Sequence, residues 1–171
     1  MTEAHLQLWQ RIKHFQIGDP SAAFPFTDRV ARENRWELAY TERVIMEYKR
    51  FMLLASISPV PVTPSDQVDQ VWHLHMIYTE SYWDEFCGAV LPRPVQHGPT
   101  KGGSRENHKY EDWYTRTKAF YQTTFDREPP EDIWPSSEIR FGEVNFSRVN
   151  LDQYWLIRKP QWLRRWKSSK N

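Results

Sequence analysis

From Pro64 to Gly88 the apolar positions recur at three- and four-residue steps. On a helix, Val68, Val71, Trp72, His75, Met76, Thr79, Tyr82, Trp83, Phe86 and Val90 fall on one face. Ser65 after Pro64 is a good N-cap, Asp66 and Asp69 place negative charge where the helix dipole favours it, and Gly88 suits the position that ends a helix. The pattern predicts one helix of about 22 residues, or roughly six turns. His75 sits near the middle of the apolar face. His73 lies about 160° around the helix from it, beside Asp69, Glu80, Asp84 and Cys87. A regular helix therefore gives the two histidines of the WHLH segment separate roles, His75 buried and His73 more exposed.

The same periodicity predicts a first helix from Thr2 to about Phe15, on Leu8, Ile12 and Phe15, stopped by Gly18, Asp19 and Pro20. It predicts the longest helix from Phe26 to Ser56, with Phe26, Tyr40, Val44, Tyr48, Phe51 and Ala55 on one stripe. Glu47 falls on that stripe. A carboxylate there is costly unless it is paired or ligates something; a curved helix or a place at the bundle's rim is the other explanation. The proline-rich run Ser58–Pro64 reads as an extended connection. After Gly88 a Pro- and Gly-rich loop carries His97 and is expected to fold back towards the Pro64–Gly88 helix. A further helix is expected from Ser104 to Phe125, with Tyr110, Trp113, Thr117, Phe120, Tyr121 and Thr124 at helical steps, ended by Glu128, Pro129 and Pro130. Ile133 to Pro160 reads as less regular, with room for one or two short strands in RFGEVNFSRVN and QYWLI, and a short helix is expected around Trp162–Trp166. The expected fold is mainly α: residues 1–171 as a single domain, an antiparallel bundle of about four main helices with the Pro64–Gly88 helix central.

Composition narrows the function classes. A net charge of +1 argues against nucleic acid as a partner. Basic residues do interleave with Trp162 and Trp166 between Arg158 and Lys170, a pattern able to grip phosphate or a membrane surface, with a solvated tail as the simpler reading. No window is apolar enough for a membrane span, and the N-terminus lacks the apolar core of a secretory signal, so a cytoplasmic location is expected. One cysteine permits no intrachain disulfide and suits a reduced compartment. Phosphate-binding glycine loops and the GxSxG elbow are absent. Cys87, expected at a helix C-terminus, faces the end of the dipole that disfavours a thiolate, so it is read as packing.

Metal binding is the enzymatic chemistry the residues support best, because neutral imidazole with carboxylate is the usual donor set for a divalent transition metal. Two geometries are open. Asp69 and His73, four residues apart, can reach one ion, with His97 supplied by the loop. Alternatively His75 meets Glu47 in one buried polar cluster, completed by His97 or by Tyr78 or Tyr82, the two tyrosines that also line up as small-molecule contacts. The alternative to a metal or small-molecule site is a non-catalytic protein–protein interaction module in which these His, Asp and Cys residues are structural.

The segment VDQVWHLHMIYTESYWDEFC with the following HGPTKGG resembles the glycine-rich domain-containing protein-like family of plants and bacteria, whose pattern is VDxxWHxH, then a tyrosine and a cysteine, then a His-Gly/Glu-Pro-Thr loop. The matching residues are Val68, Asp69, Trp72, His73, His75, Tyr82, Cys87, His97, Pro99 and Thr100, and EYKRF, Glu47 to Phe51, is similar as well. The resemblance implies kinship of fold over nearly the whole chain, without a settled activity. Many members carry a Gly-rich extension after this domain, and these 171 residues contain none.

Overall fold

The computed structural model describes residues 1–98, 104–142, 149–150, 152–157 and 160, with backbone only for 104–108. Six α-helices and one π-helix form, with no strand among the described residues, so the mainly α expectation holds and the C-terminal part is less regular. Gln153 lies in a turn and Tyr154 to Ile157 have no regular secondary structure, while most of the RFGEVNFSRVN run, Pro99, Thr100 and the Trp162–Trp166 segment lie outside the described residues.

Helix α1 spans Glu3–His14 and starts as expected: Thr2 accepts a hydrogen bond from the His5 amide at 3.2 Å. Trp9 and Ile12 are its buried residues. Its last turn is closed by the buried Lys49 ammonium, which donates to the carbonyls of Lys13 at 2.9 Å and Phe15 at 2.7 Å. A cation at the negative end of the helix offsets part of the cost of burying it.

The long helix expected over Phe26–Ser56 is two helices, α2 Phe26–Asn34 and α3 Leu38–Ile57. The break is at Arg35, in the left-handed region at φ 56°, with the Trp36 amide turning back to the Ala31 carbonyl at 3.0 Å. Neither Gly nor Pro marks this stop. Helix α3 packs against α1, α2, α4 and α5, so the hub of the fold lies one helix earlier than the periodicity suggested.

Helix α4 runs only from Asp66 to Ile77. Ser65 caps it through the Val68 amide at 3.3 Å. At Tyr78 the backbone leaves helical geometry (ψ 68°) and the chain resumes as a π-helix, Glu80–Val90, so the single helix expected from 66 to 87 is interrupted, and Gly88 lies inside the second piece rather than ending it. Packing accounts for the interruption. The Tyr78 ring stands edge-on to Phe26 at 5.4 Å and covers Gly18, where an added Cβ would lie 3.0 Å from the ring. Gly18 also has φ +65°, so its missing side chain serves both the backbone and the close approach.

Helix α5, Ser104–Phe125, buries Tyr114, Thr117, Tyr121 and Thr124, a stripe turned slightly from the expected one, with Trp113 and Phe120 only half-buried. The short α6, Ser137–Arg140, follows Ile133 and Trp134, both fully buried against the hub.

Candidate functional site

The expected polar residues separate into three groups. Glu47, only 2% exposed, is surrounded by donors: Arg50 Nη1 at 2.5 Å, Tyr121 Oη at 3.2 Å and Arg127 Nη2 at 3.4 Å reach Oε1, and Trp134 Nε1 reaches Oε2 at 3.1 Å. Burial and the Glu47 charge push the Tyr121 hydroxyl up to about 12, so it remains a donor.

His75 is fully buried, as its place on the apolar face predicts, but it does not meet Glu47. Its Nδ1 pairs with the Tyr48 hydroxyl at 2.7 Å and its Nε2 with Ser81 Oγ at 3.4 Å, and the same Ser81 oxygen accepts from the Gly18 amide at 3.3 Å. The rings of Phe15, Phe26, Tyr82 and Phe86 enclose it. Burial, with a smaller push from the Lys49 charge, lowers the His75 pKa to about 3, so the ring is neutral at physiological pH. The shared Glu47–His75 cluster is therefore replaced by two separate networks, each already supplied with protein partners.

The third group draws its residues together from distant parts of the chain. Asp69, in the first turn of α4, presents its carboxylate to His73 one turn along and to His97 from the loop after the π-helix. His97 Nε2 lies 2.8 Å from Asp69 Oδ1, His73 Nε2 lies 3.9 Å from Oδ2, and the two imidazole rings stand 4.5 Å apart. One donor atom from each of the three residues falls within 4.8 Å of the others. The Asp69 and His97 side chains are 19% and 17% exposed and His73 is 49% exposed, so the group lies at a rim rather than in the core. The loop does fold back as expected.

Neighbouring elements hold this arrangement. Trp72, buried on α4, packs its indole against the His97 ring in an edge-to-face contact, with centroids 4.3 Å apart. Arg140 ties the start of α4, pairing with the Asp66 carboxylate and donating to the Pro64 carbonyl at 3.1 Å. The loop is fastened by Arg93, whose guanidinium reaches the carbonyls of Ala55, Ser56 and Ser58 at the end of α3. Sequence reasoning missed Arg93 and Ser81. The alternation Leu91, Arg93, Val95, His97 is the one local hint that the loop presents a constant face. Of the two tyrosines, Tyr82 is bonded to Trp72 and the Val95 carbonyl, and the half-buried Tyr78 packs its ring on Phe26, Gly18 and Arg29. Cys87 is a buried, free thiol.

The three residues fit a divalent transition metal by donor chemistry, two imidazoles and a carboxylate being common ligands of such ions. No described helix is long and apolar enough to cross a membrane. No family model and no solved structure matches the chain. Over 106 residues, 59% of its length, it is 23% identical to Glycine-rich domain-containing protein 1 of Arabidopsis thaliana, and the match spans 13% of that protein. That likeness agrees with the resemblance carried by the VDxxWHxH segment: the chain is similar to a part of a glycine-rich domain-containing protein.

Proposed function

We propose that this chain is a single helical domain that binds one divalent transition metal through Asp69, His73 and His97. The observation that carries the reading is the convergence of the three donor atoms within 4.8 Å, two from α4 and one from a loop 28 residues further on. A bound ion would supply Lewis-acid chemistry at a rim open to solvent on the His73 side. The protein's part is to hold the ligands. Asp69 orients His97 through the 2.8 Å contact and can instead share the ion with it, since ligation needs a neutral imidazole nitrogen and a carboxylate oxygen. His75 and Glu47 are not ligands in this reading, because their polar atoms are engaged elsewhere. A single buried Cys87 suits a reducing, cytoplasmic compartment.

Metal analysis of the purified protein, followed by titration of the stripped protein with Co(II), tests the proposal. Stoichiometric binding is expected in the wild type and in His75→Gln, with loss of at least about 100-fold in affinity in Asp69→Ala, His73→Ala and His97→Ala. Absence of binding in the wild type would favour the interaction-module reading, in which the Asp69–His97 contact only clips the loop to the helix.

A further inference from the structure

The backbone from Leu91 to Gly98 has no regular structure, yet it must hold His97 in register with a helix begun some thirty residues earlier. A metal site tolerates little looseness: ligands displaced by half an ångström bind worse, and the groups behind them set that precision. Arg93 fastens the early part of the loop. Closer to His97 the loop is held by the hydroxyl of Tyr82. Tyr82 Oη donates to the Val95 carbonyl at 2.6 Å and accepts from Trp72 Nε1 at 2.8 Å. It thereby joins three pieces of chain: α4 through Trp72, the π-helix through its own backbone, and the loop two residues before His97. Trp72 in turn packs its ring edge-to-face with His97. Tyr82 is fully buried, and burial raises its hydroxyl pKa, so the donor proton stays in place.

We propose that Tyr82 is a positioning residue of the Asp69–His73–His97 centre, holding the His97 backbone in place through the Val95 carbonyl and the His97 ring through Trp72. The inference rests on the metal reading above. Tyr82→Phe keeps the ring and its packing against His75, Trp83 and Phe86, but removes the donor from Val95 and the acceptor from Trp72. Ser81→Ala is the matched control: it alters the adjacent residue of the same π-helix, whose hydroxyl meets Gly18 and His75 and does not reach the loop.

The test is Co(II) affinity, measured by competition with a chromophoric chelator on the folded 171-residue chain, together with the Co(II) absorption spectrum and the thermal midpoint. Tyr82→Phe is expected to weaken Co(II) binding roughly 10- to 100-fold and to change the spectrum. Ser81→Ala is expected to lower the midpoint with affinity unchanged. Equal affinity in Tyr82→Phe and wild type, or an equal loss in Ser81→Ala, overturns the positioning role while leaving the metal site intact. A wild type that does not bind Co(II) overturns the metal reading itself. Should Tyr82→Phe not yield folded protein, Trp72→Phe removes the indole donor and keeps an aromatic ring; weakened binding there supports the proposal and unchanged binding overturns it.

Discussion

Glu47 and Asp69 are both carboxylates on core helices, yet they face different kinds of donor. Around Glu47 stand two guanidiniums, a phenol and an indole, groups that can only give hydrogen bonds to it at neutral pH. Around Asp69 stand two imidazoles, whose nitrogens can either give a hydrogen bond or ligate a metal. Burial sharpens the contrast, since Glu47 has almost no access to solvent and Asp69 shares a rim with a half-exposed His73. A carboxylate saturated by fixed donors joins elements of a fold. One that faces exchangeable donors at an open edge is available for chemistry.

The largest test of that contrast removes Glu47. Glu47→Ala leaves Arg50, partly buried at 17% side-chain exposure, and the Trp134 N–H without an acceptor, and is expected to cost about 3–5 kcal/mol. Urea unfolding should show this as a lower midpoint with Co(II) affinity unaffected in whatever protein remains folded. A loss below about 1 kcal/mol would place Glu47 with the exposed ion pairs instead.

The next test moves to the imidazoles. His75 is neutral in the folded protein with its pKa near 3, against about 6.5 in the unfolded chain. The unfolded state therefore binds more protons between these values. Its contribution to stability is complete above about pH 6.5 and falls as pH is lowered towards 3, by up to about 1.4 kcal/mol per pH unit. Unfolding curves for wild type and His75→Gln between pH 7 and pH 5 should draw closer together as the pH drops. Parallel pH dependences would show that the His75 ring takes up its proton as readily when folded as when unfolded.

The smallest expected effect on stability is at Asp69, one of the three proposed metal ligands. Asp69→Ala removes one hydrogen bond at a partly exposed site and one favourable charge in the first turn of α4, together about 1 kcal/mol. Denaturant titration of the metal-free protein should confirm a shift of that size. A loss as large as that of Glu47→Ala would erase the distinction between the two carboxylates and make Asp69 a core residue as well.

Local chemistry was enough for several features. The caps at Thr2 and Ser65, the burial of His75 with His73 turned outward, and the Ser104–Phe125 helix follow from hydrogen-bonding side chains at helix starts and from the 3.6-residue period, both properties of neighbouring residues. The composition of the loop after Gly88 also pointed to its return towards α4. The helix breaks were different. Arg35 adopts a left-handed conformation without being glycine, and Tyr78 leaves the helix because its ring packs across Gly18 and Phe26, residues more than fifty positions earlier. In the sequence the apolar pattern runs on through both points without a Gly or Pro to mark them. The partners of Glu47 and His75 were likewise out of reach of sequence. Each is an expected misfit on an apolar face, and pairing them was the simplest local solution. The fold instead brings Trp134, Tyr121 and Arg127 to one, and Tyr48 and Ser81 to the other. A helix's period says which residues face inward; which residues meet them there depends on how the helices cross and where the chain between them runs, and that is settled only by packing the whole core.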